Sequence, residues 1–266
     1  NAGGAAAFAF GLADFLTRPE AERLAINGWV AQETLDRIQD LLPQGVITPA
    51  TRVVLVNAIH LKLPWYEPFQ QASTRPGTFS KSDGSTVSVP FMYRKTSLSY
   101  AEDDSVEVVS LPLAGRAVEF VVFLPKPTTS LAQFENSLSS ASMQTLVAGT
   151  KPQELTLYLP KFAFTTASLS IAKALVALGM TDAFTPNADF TGITRERLYF
   201  SDAFHKARIG VNENGLEAAA ATAIAMKLGL VMANKEVTID RPFFFGIYDR
   251  PTATWLFLGH VTDPSI

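Results

Sequence analysis

Residues able to do covalent or metal chemistry are sparse in this chain. It has no cysteine and only three histidines, His60, His205 and His260. Thiol nucleophiles, disulfides and thiolate metal sites are therefore excluded, and a multi-histidine metal centre would need nearly all the histidines. Serines are plentiful, but none sits in a Gly-x-Ser-x-Gly elbow. The dinucleotide, phosphate-loop, His-Glu-x-x-His and EF-hand patterns are also missing. His60 reads as a histidine at a strand end. His205, followed by Lys206, reads as a buried histidine bonded to another strand. Glu102, Asp103 and Asp104 cluster their carboxylates in a polar turn, where solvated charges are the better reading. No positive feature points to an enzyme, so no catalytic residue, metal or cofactor is assigned.

Composition narrows the partners. The 266 residues carry a net charge of −3 with no basic block, which argues against nucleic acid and anionic membrane. Apolar residues make up 47% and charged residues 18%, the balance of a chain that builds a core. No apolar run approaches the roughly 18 residues of a membrane span. Residues 1–13 carry no charge and follow no basic segment, so they read as a packed helix and not as a signal peptide. The compartment stays open, with an extracellular one favoured.

The elements that must position any site are mixed. Residues 19–42 have helical character, with Pro19, Glu20 and Glu22 suiting a first turn and Leu24, Ile26, Trp29 and Val30 forming an apolar face. Thr34 is expected to cap a second short helix that runs to Leu42 and stops at Pro43. The run RVVLVNAIHLKL after Thr51 is apolar on both parities, which predicts a central strand buried on both faces. Asn57 within it would then be a buried polar group needing a partner. Short strand signals follow at 76–79, 86–92, 97–101, 106–113, 117–124, 154–164, 198–201, 236–239, 242–248 and 254–261. Asp83-Gly84 and Ala114-Gly115 read as hairpin turns. Helical periods return at 129–148 and at 167–179, the latter ending on Gly179. Helices and antiparallel strands intermix without a βαβ repeat, which indicates an α+β fold.

Residues 211–241 behave differently. By propensity, Glu217 to Leu228 should form an alanine-rich surface helix, and on pattern alone that reading is favoured. The same stretch also alternates. Leu216, Ala218, Ala220, Thr222, Ile224, Met226 and Leu228 share one parity that can be buried, while the other parity holds Glu217 and Lys227. Small side chains would let it slip between other strands, so it is a candidate switch.

VNENGLEAAAATA in this segment resembles the hinge of the reactive-centre loop of inhibitory serpins. VVLVNAIHLKLPW (53–65), LPKFAF (159–164), LGMTDAFTPNADFTGI (178–193), SDAFHKARIGVNENG (201–215) and DRPFFFGIYDRPTATWLFLGHVTDP (240–264) follow in serpin order. The resemblance implies a single serpin domain over 1–266, with several sheets and a loop offered to a serine protease as a suicide substrate. Loop cleavage, insertion into the main sheet and covalent trapping would follow. It implies a hinge at Glu213, Gly215, Leu216, Glu217, Ala218, Ala219, Ala220, Ala221 and Thr222. Asn57 and His205 would meet in the shutter. Trp65, Lys161 and Glu213 would form the breach, with Lys161 paired to Glu213. Counting from the hinge places the reactive bond at Gly229-Leu230. Elastase-like or subtilisin-like targets are favoured, and the inhibitor is expected to act as a monomer.

Two departures stand out. Leu216 occupies a position where inhibitory serpins usually carry threonine or serine. The N-terminal part is short by several elements, with an apparent junction near 12–13; the second strand of the main sheet and the helix beneath the shutter are missing from the sequence. The alternative implied by both departures is a non-inhibitory serpin-like binding or structural protein.

Overall fold

The computed structural model describes residues 11–192, 195–217 and 235–265. Along the chain the elements are α1 (Pro19–Glu33), β1 (Val53–His60), β2 (Leu63–Pro64), β3 (Arg75–Ser80), β4 (Thr86–Glu102), β5 (Val106–Pro112) and β6 (Val118–Pro125). They continue with α2 (Leu131–Ser137), α3 (Ser140–Ala148), β7 (Lys151–Pro160), β8 (Phe162–Thr165), β9 (Leu169–Ser170) and α4 (Ala172–Ala177). The last are β10 (Phe200–Asn212), β11 (Gly215–Leu216), β12 (Lys235–Thr238), β13 (Phe243–Asp249) and β14 (Thr254–Val261). This is the expected α+β mixture. Two compact units are formed, one from 62–163 with 210–217 and 235–265, the other from 11–61 with 164–192 and 195–209.

The first unit is built on an eight-stranded sheet in the order β12-β7-β4-β5-β6-β13-β14, with β3 added on β4. Only β12 runs parallel to its neighbour, β7; the other pairs are antiparallel. Strand signals at 86–92 and 97–101 belong to one strand, β4, whose residues 91–100 pair without a break against β7. The glycines of both expected hairpin turns, Gly84 and Gly115, take φ of +82°. That left-handed conformation is one glycine adopts without a Cβ clash. β6 is buried on both faces. Val121 and Phe123 pack under α2 and α3 with Phe134, Met143 and Val147. On the opposite face Phe120 stacks on Phe245, ring centroids 5.4 Å apart, and meets Trp65 edge-on at 5.7 Å.

The second unit pairs β1 with β10 in parallel, Val53 through His60 against Phe200 through Arg208, and β9 antiparallel to β10. β1 departs from the expected central strand. Its strand pairing is with β10 alone among the described residues, and all its residues are half-buried or exposed. Val54, Val56 and Ala58 pack on a cluster of Val30, Ile38, Leu41, Leu42, Ile47 and Phe204, while Val53, Leu55 and Ile59 on the other parity are half-buried. Asn57 lies on that second face and is exposed, contrary to the buried polar group expected. An apolar run on both parities shows that both faces can be buried, not that both are covered.

The second short helix expected at 34–42 does not form. Leu35, Asp36 and Asp40 take φ of 53°, 59° and 49°, which breaks a right-handed helix. The resulting turns bury Ile38, Leu41 and Leu42 completely. Leu24 is 54% exposed, so it does not belong to the buried face of α1. Arg23 and Asn27 hold that face instead, both donating to the carbonyl of Leu42 at 2.6 and 2.9 Å. The helical period at 167–179 shrinks to α4, which ends as expected. Gly179, at φ +102°, donates to Val176 while Met180 donates to Leu175 at 2.9 Å.

Candidate functional site

The segment singled out in the sequence leaves the end of β10 through a tight hairpin in the first unit. Val211 pairs with Leu216 and Asn212 with Gly215, so Glu213 and Asn214 form the turn. The Asn212 side chain accepts from the amide of Asn214 at 2.9 Å. β11 then lies between β10 and β2, with Gly215 opposite Pro64 and Leu216 opposite Leu63. Gly215 sits at φ +142°, and a Cβ there would lie 2.3 Å from the Leu63 carbonyl oxygen and 2.5 Å from Cα of Pro64. Only glycine lets the two backbones approach this closely. Leu216 is 0% exposed, on the parity expected to be buried. The ladder continues one step further, where the Glu217 amide donates to the Gly210 carbonyl at 2.8 Å. Glu217 then turns to φ +45°. Ala218, Ala219, Ala220, Ala221, Thr222, Gly229 and Leu230 lie outside the described residues.

The turn is held from three sides. The Glu213 carboxylate, 8% exposed, pairs with Nζ of Lys161 at 2.9 Å. Thr74 donates its hydroxyl to the same carboxylate at 2.8 Å. Trp65 Nε1 donates to the Asn212 carbonyl at 2.7 Å. The Trp65 and Phe69 amides donate to the carbonyls of Asn214 and Glu213 at 3.0 and 2.9 Å. Burial works against the charge on Glu213. The hydrogen bond from Lys161, a backbone amide, the Thr74 hydroxyl and the Lys161 charge outweigh it and hold the carboxyl below its ordinary range.

The structure thus brings together Trp65, Lys161 and Glu213, and it sets Gly215 and Leu216 beside them. Asn57 and His205 are partners in the β1–β10 register. His205 also faces Leu169 of β9, and burial lowers its pKa. His260 stands elsewhere, its Nδ1 2.7 Å from Glu135 on the surface. Among the described residues no group of three or more histidine and acidic side chains gathers as a metal site would require. Glu102 is not simply solvated, since it pairs with Lys126 and Lys235 at 3.0 and 3.1 Å. Thr74 and Phe69 were not anticipated. Each is distant in sequence from Glu213, and neither stands in a pattern that would mark it.

These features coincide with a known architecture. A family model described as Serpin (serine protease inhibitor) matches residues 7–264. The chain belongs to the serpin family. It is 37% identical over 260 residues to antithrombin-III of Mus musculus, covering 95% of this chain and 56% of that protein. It is 36% identical over 263 residues to the leukocyte elastase inhibitor of Sus scrofa, covering 94% and 68%. The crystal structure of tengpin, a thermophilic serpin in its native state, superposes with a TM-score of 0.81 at 29% identity, covering 92% of this chain and 63% of that one. The chain thus spans little more than half the length of the antithrombin it matches.

Proposed function

We propose that this chain inhibits a serine protease as a suicide substrate. The supporting observation is β11. Its two residues already occupy a slot between β10 and β2, with Leu216 sealed from solvent and the ladder continued by the Glu217 amide. The hinge is therefore the beginning of a strand whose continuation is the alternating segment. In this reading the protease serine attacks the carbonyl carbon of Gly229. An ester to Gly229 forms, the peptide bond breaks, and Leu230 leaves as a free amine. The released segment then adds residue by residue behind Leu216.

The energetics favour insertion. To admit the new strand, β1 must part from β10 at Asn57 and His205, which gives up one parallel ladder. Two antiparallel ladders replace it, each bond contributing a net of about 0.5–1.5 kcal/mol. About ten inserted residues span roughly 33 Å, enough to carry the acylated enzyme away from where it bound. Lys161 and Glu213 serve as the breach pair, at the point where the strand begins. Elastase-like or subtilisin-like enzymes suit the apolar stretch around Gly229, in keeping with a relative named as an elastase inhibitor.

Incubation with a panel of serine proteases tests this. The expected product is a complex that survives boiling in denaturant, with Leu230 as the new N-terminus of the released fragment. Complete cleavage with no such complex from any protease would instead favour the non-inhibitory alternative.

A further inference from the structure

Arg94 lies in the middle of β4, opposite Leu157 of β7, which is 1% exposed. Its side chain enters the interior of the first unit, on the side where Trp65 and Phe69 lie. Its Nη1 donates to the carbonyl of Glu67, and its guanidinium carbon stands 4.9 Å above the ring centroid of Phe69. Its Nε is sealed from solvent and has no hydrogen-bond partner among the described residues. Burial lowers its pKa to about 10, opposed by the Glu67 carboxylate nearby.

A half-buried cation whose Nε is sealed from solvent is a costly way to line a core. An unbranched apolar side chain would fill much of the same volume without that cost. What the guanidinium does that methionine cannot is fix a carbonyl and an aromatic ring at once. Both belong to the stretch that holds the hinge. Phe69 packs edge-on against Trp65 at 5.8 Å, and its amide donates to Glu213. Trp65 donates to Asn212 and Asn214. The connection from Arg94 to the 212–214 turn runs through 65–69.

We infer that Arg94 is a positioning residue for the hinge, clamping 67–69 so that the Trp65 and Phe69 amides hold the turn from which the inserting strand starts. The inference rests on the inhibitory reading for its consequence, because a loosened turn should slow insertion and let the protease complete hydrolysis. Its geometric half stands without any protease.

The test is Arg94→Met in the full chain, read by amide hydrogen exchange. The Trp65 and Phe69 amides should exchange faster by on the order of tenfold, while amides of β6 and β13 keep their rates. With a protease that the parent traps, loop cleavage should keep its rate while the trapped fraction falls. Unchanged exchange at both amides overturns the inference. So does a uniform rise across β6 and β13, which would make Arg94 a general structural residue. If Arg94→Met does not fold, Arg94→Lys keeps the charge and removes the planar group. Faster exchange at the same two amides is expected, and unchanged rates, or failure of both variants to fold, overturn the proposal. A parent that traps no protease would sink the inhibitory reading while leaving the exchange result to judge Arg94.

Discussion

The two ends of the segment 218–234 are anchored by different physics. At the leading end, Gly215 and Leu216 are locked between two strands, and Glu213 is held by Lys161, Thr74 and the amide of Phe69. Little of this end reaches water. At the trailing end, Lys235 opens β12, whose four residues run parallel to β7. Its ammonium meets Glu102 and Glu107 at 3.1 and 3.2 Å and lies 5.3 Å from the Tyr100 ring. Lys126 and Arg241 extend that network at 3.0 and 3.5 Å. The leading end works by excluding solvent and presents a ladder that another residue can extend. The trailing end works by partly exposed charges that hold a strand in place. The proposed insertion would draw on this asymmetry, with the leading end open to extension and the trailing end held in place after the cut.

Substitutions should therefore cost most at the leading end. Leu216→Glu places a carboxylate in a sealed site and should destabilise the protein by about 3–5 kcal/mol, read by denaturant unfolding. A loss under 1 kcal/mol would show that Leu216 is not held as described. The same logic extends along the segment: Ala220→Glu should abolish protease trapping but leave cleavage intact, whereas Ala221→Glu, on the other parity, should be milder. Equal losses would contradict the register.

Next in size is Glu213→Gln, which removes the partner of Lys161 and should cost about 1–3 kcal/mol. Its pH signature is specific. The folded pKa of Glu213 lies below its unfolded value, so its contribution is complete above about pH 4.3 and is lost as pH falls through the folded pKa. The glutamine variant should flatten that acid limb of the stability curve. An identical acid limb in both proteins would place the charge effect elsewhere.

The smallest effect is expected at the trailing end. Lys235→Met should cost less than about 1 kcal/mol, since its partners are partly exposed. The difference should fade near 1 M salt, where screening acts within about 3 Å. A larger, salt-insensitive loss would mean that β12 is anchored by packing and not by charge.

Parts of this arrangement were readable in the sequence. The alternation of 216–228 placed Leu216 on the buried parity, and Asp83-Gly84 and Ala114-Gly115 marked their hairpins through the left-handed glycine each requires. The pairing of Lys161 with Glu213, 52 residues apart, came from resemblance and from no local pattern. Asn57 is exposed and not buried, because an apolar run does not report how deeply each of its faces is buried. The turns after Thr34 escaped notice because Leu35 takes a left-handed conformation that its residue type disfavours. Thr74 and Arg94 gave no signal at all, since a polar residue in a strand or loop reads as solvated until its cross-sheet partner is known.

The central claim is that β11 is the start of a strand that lengthens once the loop is cut. Thermal unfolding before and after a single proteolytic nick near Gly229 tests it most directly, with both fragments kept together. A sharp rise in melting temperature on cleavage is the predicted result, because the freed segment adds ladders and buries the Leu216 parity. An unchanged or lower melting temperature, in a chain shown to be fully nicked, would contradict the account.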